Sequence, residues 1–198
     1  LRTRRQRQMC IRDSLTTTIK AESNKNLIDE LKNGGKIIFI RHALAPGGGD
    51  PENFDILNCN TQRNLNEVGR EQAKQIGNFF SKEKIPIKEV ISSEWCRCKE
   101  TAAIAFSGYK TEKFLNSFFS EKFKKNKNLQ IKNLRSYVDR WDKKKNLILV
   151  THYVVILEIL DYAPSSGEIV ISDMNFKLIG SISNICLLYT SPSPRDKT

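Results

Sequence analysis

Lys36-Ile-Ile-Phe-Ile-Arg-His42 and, far along the chain, Asn146-Leu-Ile-Leu-Val-Thr-His152 follow one pattern: a short apolar run, then a histidine just beyond it. The runs Lys36–Ile40 and Asn146–Val150 read as buried strands. His42 and His152 are the only histidines in the sequence. In an open parallel α/β sheet the carboxyl ends of the strands border the ligand crevice, so imidazoles at two strand ends can converge on one substrate. A single strand-end histidine is ordinary, but Arg41 beside the first, and a further arginine after another strand, direct the reading toward phosphate chemistry.

Outward from these strands the pattern alternates strand and helix. Leu27–Leu31 is a short amphipathic helix closed by Gly34-Gly35, and Pro46-Gly-Gly-Gly-Asp-Pro51 is a loop. From Asn66 to about Lys84, residues Val68, Ala73, Ile76 and Phe80 keep one helical face, with Pro86 beyond the end. Lys88–Ile91 is a second strand. Ser92 or Ser93 can cap the next helix, where Trp95, Cys98, Ala102 and Phe106 share a face and Arg97 lies in the first turn. No pattern stands out over residues 107–126. Asn128–Trp141 predicts a helix, Tyr153–Leu160 another starting at His152, and Glu168–Ser172 with Phe176–Ile182 an edge hairpin around Asp173-Met-Asn175. The expected fold is α/β: a single-domain three-layer sandwich with a mostly parallel central sheet, helices on both faces and an edge hairpin.

The two ends resemble translated library adapter. Met9-Cys-Ile-Arg-Asp-Ser14 can be encoded by ATG TGT ATA AGA GAC AG, and the reverse complement, read one base along, gives TGT CTC TTA TAC ACA, which is Cys186-Leu-Leu-Tyr-Thr190. Residues 1–14 and 186–198 are therefore set apart from the domain, 15–185. The formal charge is +11, of which residues 1–14 supply +4 (five Arg against one Asp) and residues 186–198 supply +1, leaving +6. That balance suits an anionic substrate, and apart from Lys122–Lys127 the lysines are scattered, so neither nucleic acid nor membrane is expected as a partner. No apolar run is long enough to span a bilayer. A native leader, of which Leu15–Ala21 would be the remnant, leaves the compartment open between cytoplasm and periplasm.

Without Cys10 and Cys186 three cysteines remain: Cys59, Cys96 and Cys98. Cys96-Arg97-Cys98 lacks zinc-ligand spacing and has no clustered histidine, so no metal is expected. The thiols are either buried and free, or Cys59 pairs with Cys96 or Cys98 in an oxidising compartment.

The chemistry gathers at three strand ends: Arg41-His42, Ser92-Ser-Glu-Trp-Cys-Arg97 and Thr151-His152. Two guanidiniums can hold phosphoryl oxygens in bidentate fashion while helix N-termini add backbone donors. A neutral imidazole is a competent nucleophile near pH 7, and a covalent phosphoramidate splits one hard displacement into two easier ones.

Four segments in order, Arg41-His42-Ala43, Thr61-Gln-Arg-Asn-Leu65 with Gly69-Arg-Glu-Gln-Ala73, Ser93-x-x-x-Arg97-x-x-x-Thr101-Ala102, and Thr151-His152, resemble the phosphoglycerate-mutase-like histidine phosphatase superfamily. The resemblance implies that His42 is the phosphorylated nucleophile, that Arg41, Arg97 and His152 complete the phosphate pocket, and that Arg63 and Thr151 contact substrate. It implies no cofactor and a small phosphorylated substrate or phosphoprotein as partner. Two departures stand out. Ala43 replaces the usual Gly, and Leu115-Asn-Ser-Phe-Phe119 carries no carboxylate where the main branch places its proton-donating glutamate. Glu94 is the first substitute, and Asp50, Glu52 and Asp55 are others. The expected activity is a metal-independent phosphatase, with a mutase-like phosphotransferase or a catalytically weak phosphate-binding module as alternatives.

Overall fold

The computed structural model describes residues 25–183, so the adapter-like ends and Leu15–Ala21 lie outside the described residues. A helix at residues 25–32 (α1) precedes β1 (Ile37–Arg41), α2 (Glu67–Lys82), β2 (Ile87–Ser92), α3 (Cys96–Ala105), β3 (Lys110–Thr111), α4 (Glu121–Lys124), α5 (Lys127–Asp139), β4 (Asn146–Thr151), α6 (Tyr153–Leu160), β5 (Ile169–Ser172) and β6 (Leu178–Ile182). Short 3-10 turns lie at Cys59–Thr61 and Lys113–Leu115.

Side chains alternate across a strand, so the apolar residues 37–40 of β1 must find a core on each side. Ile38 and Ile40 join Ile148, Val150, Ile169 and Ile171 beneath α1, α2 and α3, where Leu31, Ile76, Phe79 and Ala102 close the layer. Ile37 and Phe39 join Leu147, Leu149 and Val170 on the other face, beneath Leu134 and Val138 of α5 and Val155 and Ile156 of α6. These two cores make the three-layer sandwich. Truncating one of these central side chains, as in Ile38→Ala, costs about 2–5 kcal/mol.

The strand order is β3-β2-β4-β1-β5-β6. The pairs β1–β4, β2–β4 and β2–β3 are parallel, whereas β5 and β6 run antiparallel as the edge hairpin. Arg41 is the register partner of Thr151, and Ser92 that of Val150. The three chemistry-bearing segments therefore leave the sheet at one edge and at one level.

Asn66 caps α2 by accepting a hydrogen bond from the Gly69 N–H at 2.8 Å. Val68, expected on its apolar face, is 63% exposed, and Gly69 faces inward instead. A Cβ on Gly69 would stand 2.1 Å from the Leu44 carbonyl oxygen, so only glycine lets α2 press against the segment that follows His42. Neither Ser92 nor Ser93 caps α3; its N-cap is Trp95, without a side-chain bond, because Ser92 is still in the strand and Ser93 lies in the turn beyond it. Residues 107–126 resolve into β3, a 3-10 turn and α4, pieces too short to leave a periodic signal.

Candidate active site

His42 and His152 leave adjacent parallel strands, and their ring centroids lie 5.5 Å apart at an interplanar angle of 68°. Both side chains are buried. The Nδ1 of His42 lies 2.8 Å from the Ala43 carbonyl oxygen, which can only accept, so Nδ1 carries the proton. Nε2 is left as a lone pair, and Arg97 Nε donates to it at 3.2 Å. Burial first, and then the positive charge of Arg97, pull the His42 pKa down to about 3, so the ring is neutral at physiological pH.

His152 is held neutral for the same reasons, with its pKa well below the ordinary value through burial and then Arg97. Its Nδ1 lies 3.5 Å from Arg97 Nη2, and its Nε2 lies 2.9 Å from Ser93 Oγ and 3.5 Å from Cys98 Sγ. Because a guanidinium only donates, this arrangement puts the His152 proton on Nε2, facing Ser93. The Ser93 hydroxyl then donates to Asn116 Oδ1 at 3.0 Å. Burial pushes the Cys98 thiol up to about 12, which leaves it an inert packing group.

Arg97 enters this site because α3 starts directly after the turn that ends β2. A buried guanidinium requires an anion, and here the anion is Asp50. Nη1 donates to Asp50 Oδ1 at 2.6 Å and Nη2 to Oδ2 at 3.1 Å. Trp95 Nε1 adds a bond to Oδ2 at 3.0 Å and the Arg63 N–H one to Oδ1 at 3.2 Å. Burial alone would raise the Asp50 pKa, but the bonds and charge of Arg97 and the Trp95 bond outweigh it and hold the carboxyl below its ordinary value.

The loop between β1 and α2 wraps this cluster. Arg63 donates from Nε to the Gly49 carbonyl at 3.0 Å and from Nη1 to the Ala45 carbonyl, so it stitches the loop while still facing the cleft. Gln62 Oε1 accepts from the Cys96 N–H at 2.9 Å, and a Cys59–Cys96 disulfide fixes the loop to the start of α3. The choice left open between Cys96 and Cys98 follows from helix geometry: the two lie about 200° apart around the axis, and Cys98 faces the core.

Together these residues floor a cleft of about 530 Å³. Arg41, His42, Arg63, Arg97 and His152 stand at one end, and Phe54, Trp95, Phe119, Phe123 and Tyr153 form apolar walls. Arg41 gives one donor to the Pro164 carbonyl at 2.8 Å, while its buried Nε has no acceptor among the described residues and is available to an anion. Two sequence candidates stand apart. The Thr151 side chain is buried, its hydroxyl donating to the Leu115 carbonyl at 2.6 Å, and it does not line the cleft. Glu94 accepts from Asn116 Nδ2 at 2.7 Å and borders a neighbouring hollow. Of the other acids, Asp50 and Glu52 line the cleft and Asp55 does not. The roles of Trp95, Ser93 and Asn116 had no sequence signal, because each depends on contacts between separate segments.

Among solved structures, the protein histidine phosphatase SixA complexed with tungstate superposes with a TM-score of 0.53 at 15% identity, over 77% of this chain and 99% of that one. Phosphoglycerate mutase from Thermus thermophilus gives 0.51 at 12% identity, over 75% of this chain and 98% of that one. At such identities the likeness is one of fold. No curated protein matches the sequence. The profile of the histidine phosphatase superfamily (branch 1) matches residues 37–146, a span that runs from the strand before His42 through Arg97 to the first residue of β4. The chain belongs to the histidine phosphatase superfamily.

Proposed function

We propose that this protein is a phosphatase that hydrolyses a phosphomonoester or phosphoramidate through a phosphohistidine on His42. One observation carries the reading. The unprotonated Nε2 of His42 stands in a cleft with three arginines, its tautomer fixed by the Ala43 carbonyl and its lone pair marked by Arg97.

The Nε2 lone pair, released by Arg97 Nε as the phosphoryl group enters, attacks phosphorus; the P–N bond forms as the P–O or P–N bond to the leaving group breaks. Arg97, Arg41 and Arg63 neutralise the oxygens, whose charge is spread over three positions in the transition state. His152 supports the same oxygens once its Nδ1 carries a proton, which Ser93 permits because its hydroxyl can turn to donate to Nε2. Water then attacks the phosphohistidine, phosphate departs, and His42 is regenerated. The fixed cations supply the charge stabilisation, so the reaction is assigned no metal.

The cleft has room for a small phosphorylated molecule. Between residues 107 and 126 the chain forms only a two-residue strand, a 3-10 turn and one turn of helix, which favours a hydrolase over a mutase that must retain its intermediate. In steady-state kinetics on an aryl phosphate, His42→Ala should abolish turnover and His152→Ala lower it by about 10²-fold. Retention of more than a few per cent of activity by His42→Ala would remove the nucleophile assignment.

A further inference from the structure

Expulsion of an alkoxide needs a proton, and the reading above assigns none. Among the described residues lining the cleft only Asp50 and Glu52 are carboxylates. Asp50 is the one at the reacting end. Its two oxygens take the Nη1 and Nη2 donors of Arg97 at 2.6 and 3.1 Å, the fork that two phosphoryl oxygens would otherwise take. The same guanidinium reaches His42 Nε2 through Nε at 3.2 Å. A phosphoryl group in line for attack by His42 must therefore contend with Asp50 for Arg97.

The loop is tied at Gly49 and Ala45 by Arg63 and at Cys59 by the disulfide, and between those ties the glycines leave space around the backbone. Gly47 and Gly49 have φ of 95° and 71°, conformations that favour glycine, and no atom lies within 4 Å of a Cβ built on Gly48 or Gly49. To leave Arg97, the Asp50 carboxylate must give up its bonds from Trp95 Nε1 and the Arg63 N–H as well, so the partners it loses are two side chains and one loop N–H.

We propose that Asp50 is the proton donor of this phosphatase, displaced from Arg97 by the incoming phosphoryl group and protonated in the displacement. The proposal rests on the phosphohistidine reading. Freed from Arg97 and set against a phosphoryl anion, the carboxylate takes a proton from solvent or from the substrate monoanion, whose second ionisation lies near pH 6. As His42 Nε2 forms its bond to phosphorus and the ester P–O bond breaks, that proton passes to the leaving oxygen. In the second half the Asp50 carboxylate removes a proton from the attacking water. Asp50 then passes that proton to the departing phosphate or to solvent, and Arg97 closes on the regenerated carboxylate, so the carboxylate also competes with product. The charged and titratable groups that line the cleft with Asp50 are Arg97 of α3, Arg63 and Glu52 of its own loop, Arg41 and His42 at the end of β1, His152 and Tyr153 at the start of α6, and Lys122 of α4.

The test is leaving-group dependence, read on p-nitrophenyl phosphate, phenyl phosphate and an alkyl phosphate, with wild type, Asp50→Asn and Asp50→Glu. In wild type kcat should vary little along the series. Asp50→Asn should lose about 10²-fold or more on the alkyl phosphate, lose less than about 10-fold on p-nitrophenyl phosphate, and bind vanadate more tightly because the internal competitor has lost its charge. Asp50→Glu, which keeps the carboxylate, should recover part of the alkyl phosphate rate. Equal loss on all three substrates, or no loss on the alkyl phosphate, overturns the proposal; so does a steep leaving-group dependence in wild type, a reading that needs no variant to fold. Acid-labile labelling of His42 by p-nitrophenyl phosphate separates the two claims. If label forms while the Asp50 pattern fails, only the proton donor is lost; if wild type forms no label, the phosphohistidine reading itself fails.

Discussion

The Arg97 guanidinium touches His42 Nε2 with one nitrogen, at 3.2 Å, and holds an anion with the other two. In the proposed reaction this one planar, five-donor group would orient the nucleophile and then seat the phosphoryl group in place of Asp50. Lysine, a single point charge, cannot do both. Arg97→Lys should lower kcat/KM on an aryl phosphate by about 10²-fold or more, with most of the loss in kcat, which steady-state kinetics would measure. A change confined to KM would mean that Arg97 only binds.

Both histidines are buried and neutral, which couples stability to pH. Their pKa values in the fold, about 3 for His42 and well below the ordinary value for His152, lie under the unfolded value of 6.5. The unfolded chain thus binds protons that the native state refuses, so this stabilisation is complete above about pH 6.5 and is lost as pH falls toward the folded values. Each histidine contributes a slope of up to about 1.4 kcal/mol per pH unit in that window. Denaturant titrations from pH 8 to pH 4 should show this loss, and His152→Asn should show a shallower one. An unchanged slope in that variant would mean that His152 does not titrate between the two states.

The Cys59–Cys96 disulfide closes a loop with a sequence separation of 37 and joins the segment carrying Asp50 and Arg63 to the start of the Arg97 helix. Replacing both cysteines by serine should lower stability by about 2–4 kcal/mol. Thermal melts would check this. Full stability in the double variant would mean that Gln62 and Arg63 hold the loop without it.

Activity should survive chelators and be inhibited by vanadate or tungstate, since the arginines supply the positive charge. It should also survive removal of residues 1–14 and 186–198. Loss of turnover in EDTA with recovery on adding zinc or magnesium would contradict the first expectation, and loss on trimming would contradict the reading of those ends.

The sequence was most legible where the signal is local. The apolar runs before His42 and His152, the 3.6-residue spacing of Ala73, Ile76 and Phe80, and the turn at Asp173-Met-Asn175 all lead to the observed elements within a residue or two. Convergence of the two histidines was legible as well, because parallel strands deliver their carboxyl ends to one edge. Long-range geometry was not. Thr151 adjoins His152 in sequence, but alternation along β4 turns it toward Leu115, away from the cleft. Glu94 lies three residues before Arg97 yet bonds to Asn116 outside it. The bond between Asp50 and Arg97 depends on how a long glycine-rich loop folds back over α3, and no periodicity records that.

The central claim is covalent attack by His42, and quenched-flow labelling with a ³²P-phosphomonoester tests it most directly. Wild type should show an acid-labile, base-stable label on His42 Nε2 that forms and decays at rates consistent with turnover, and His42→Ala should show none. Turnover without any such label, or a label that persists in His42→Ala, would contradict it.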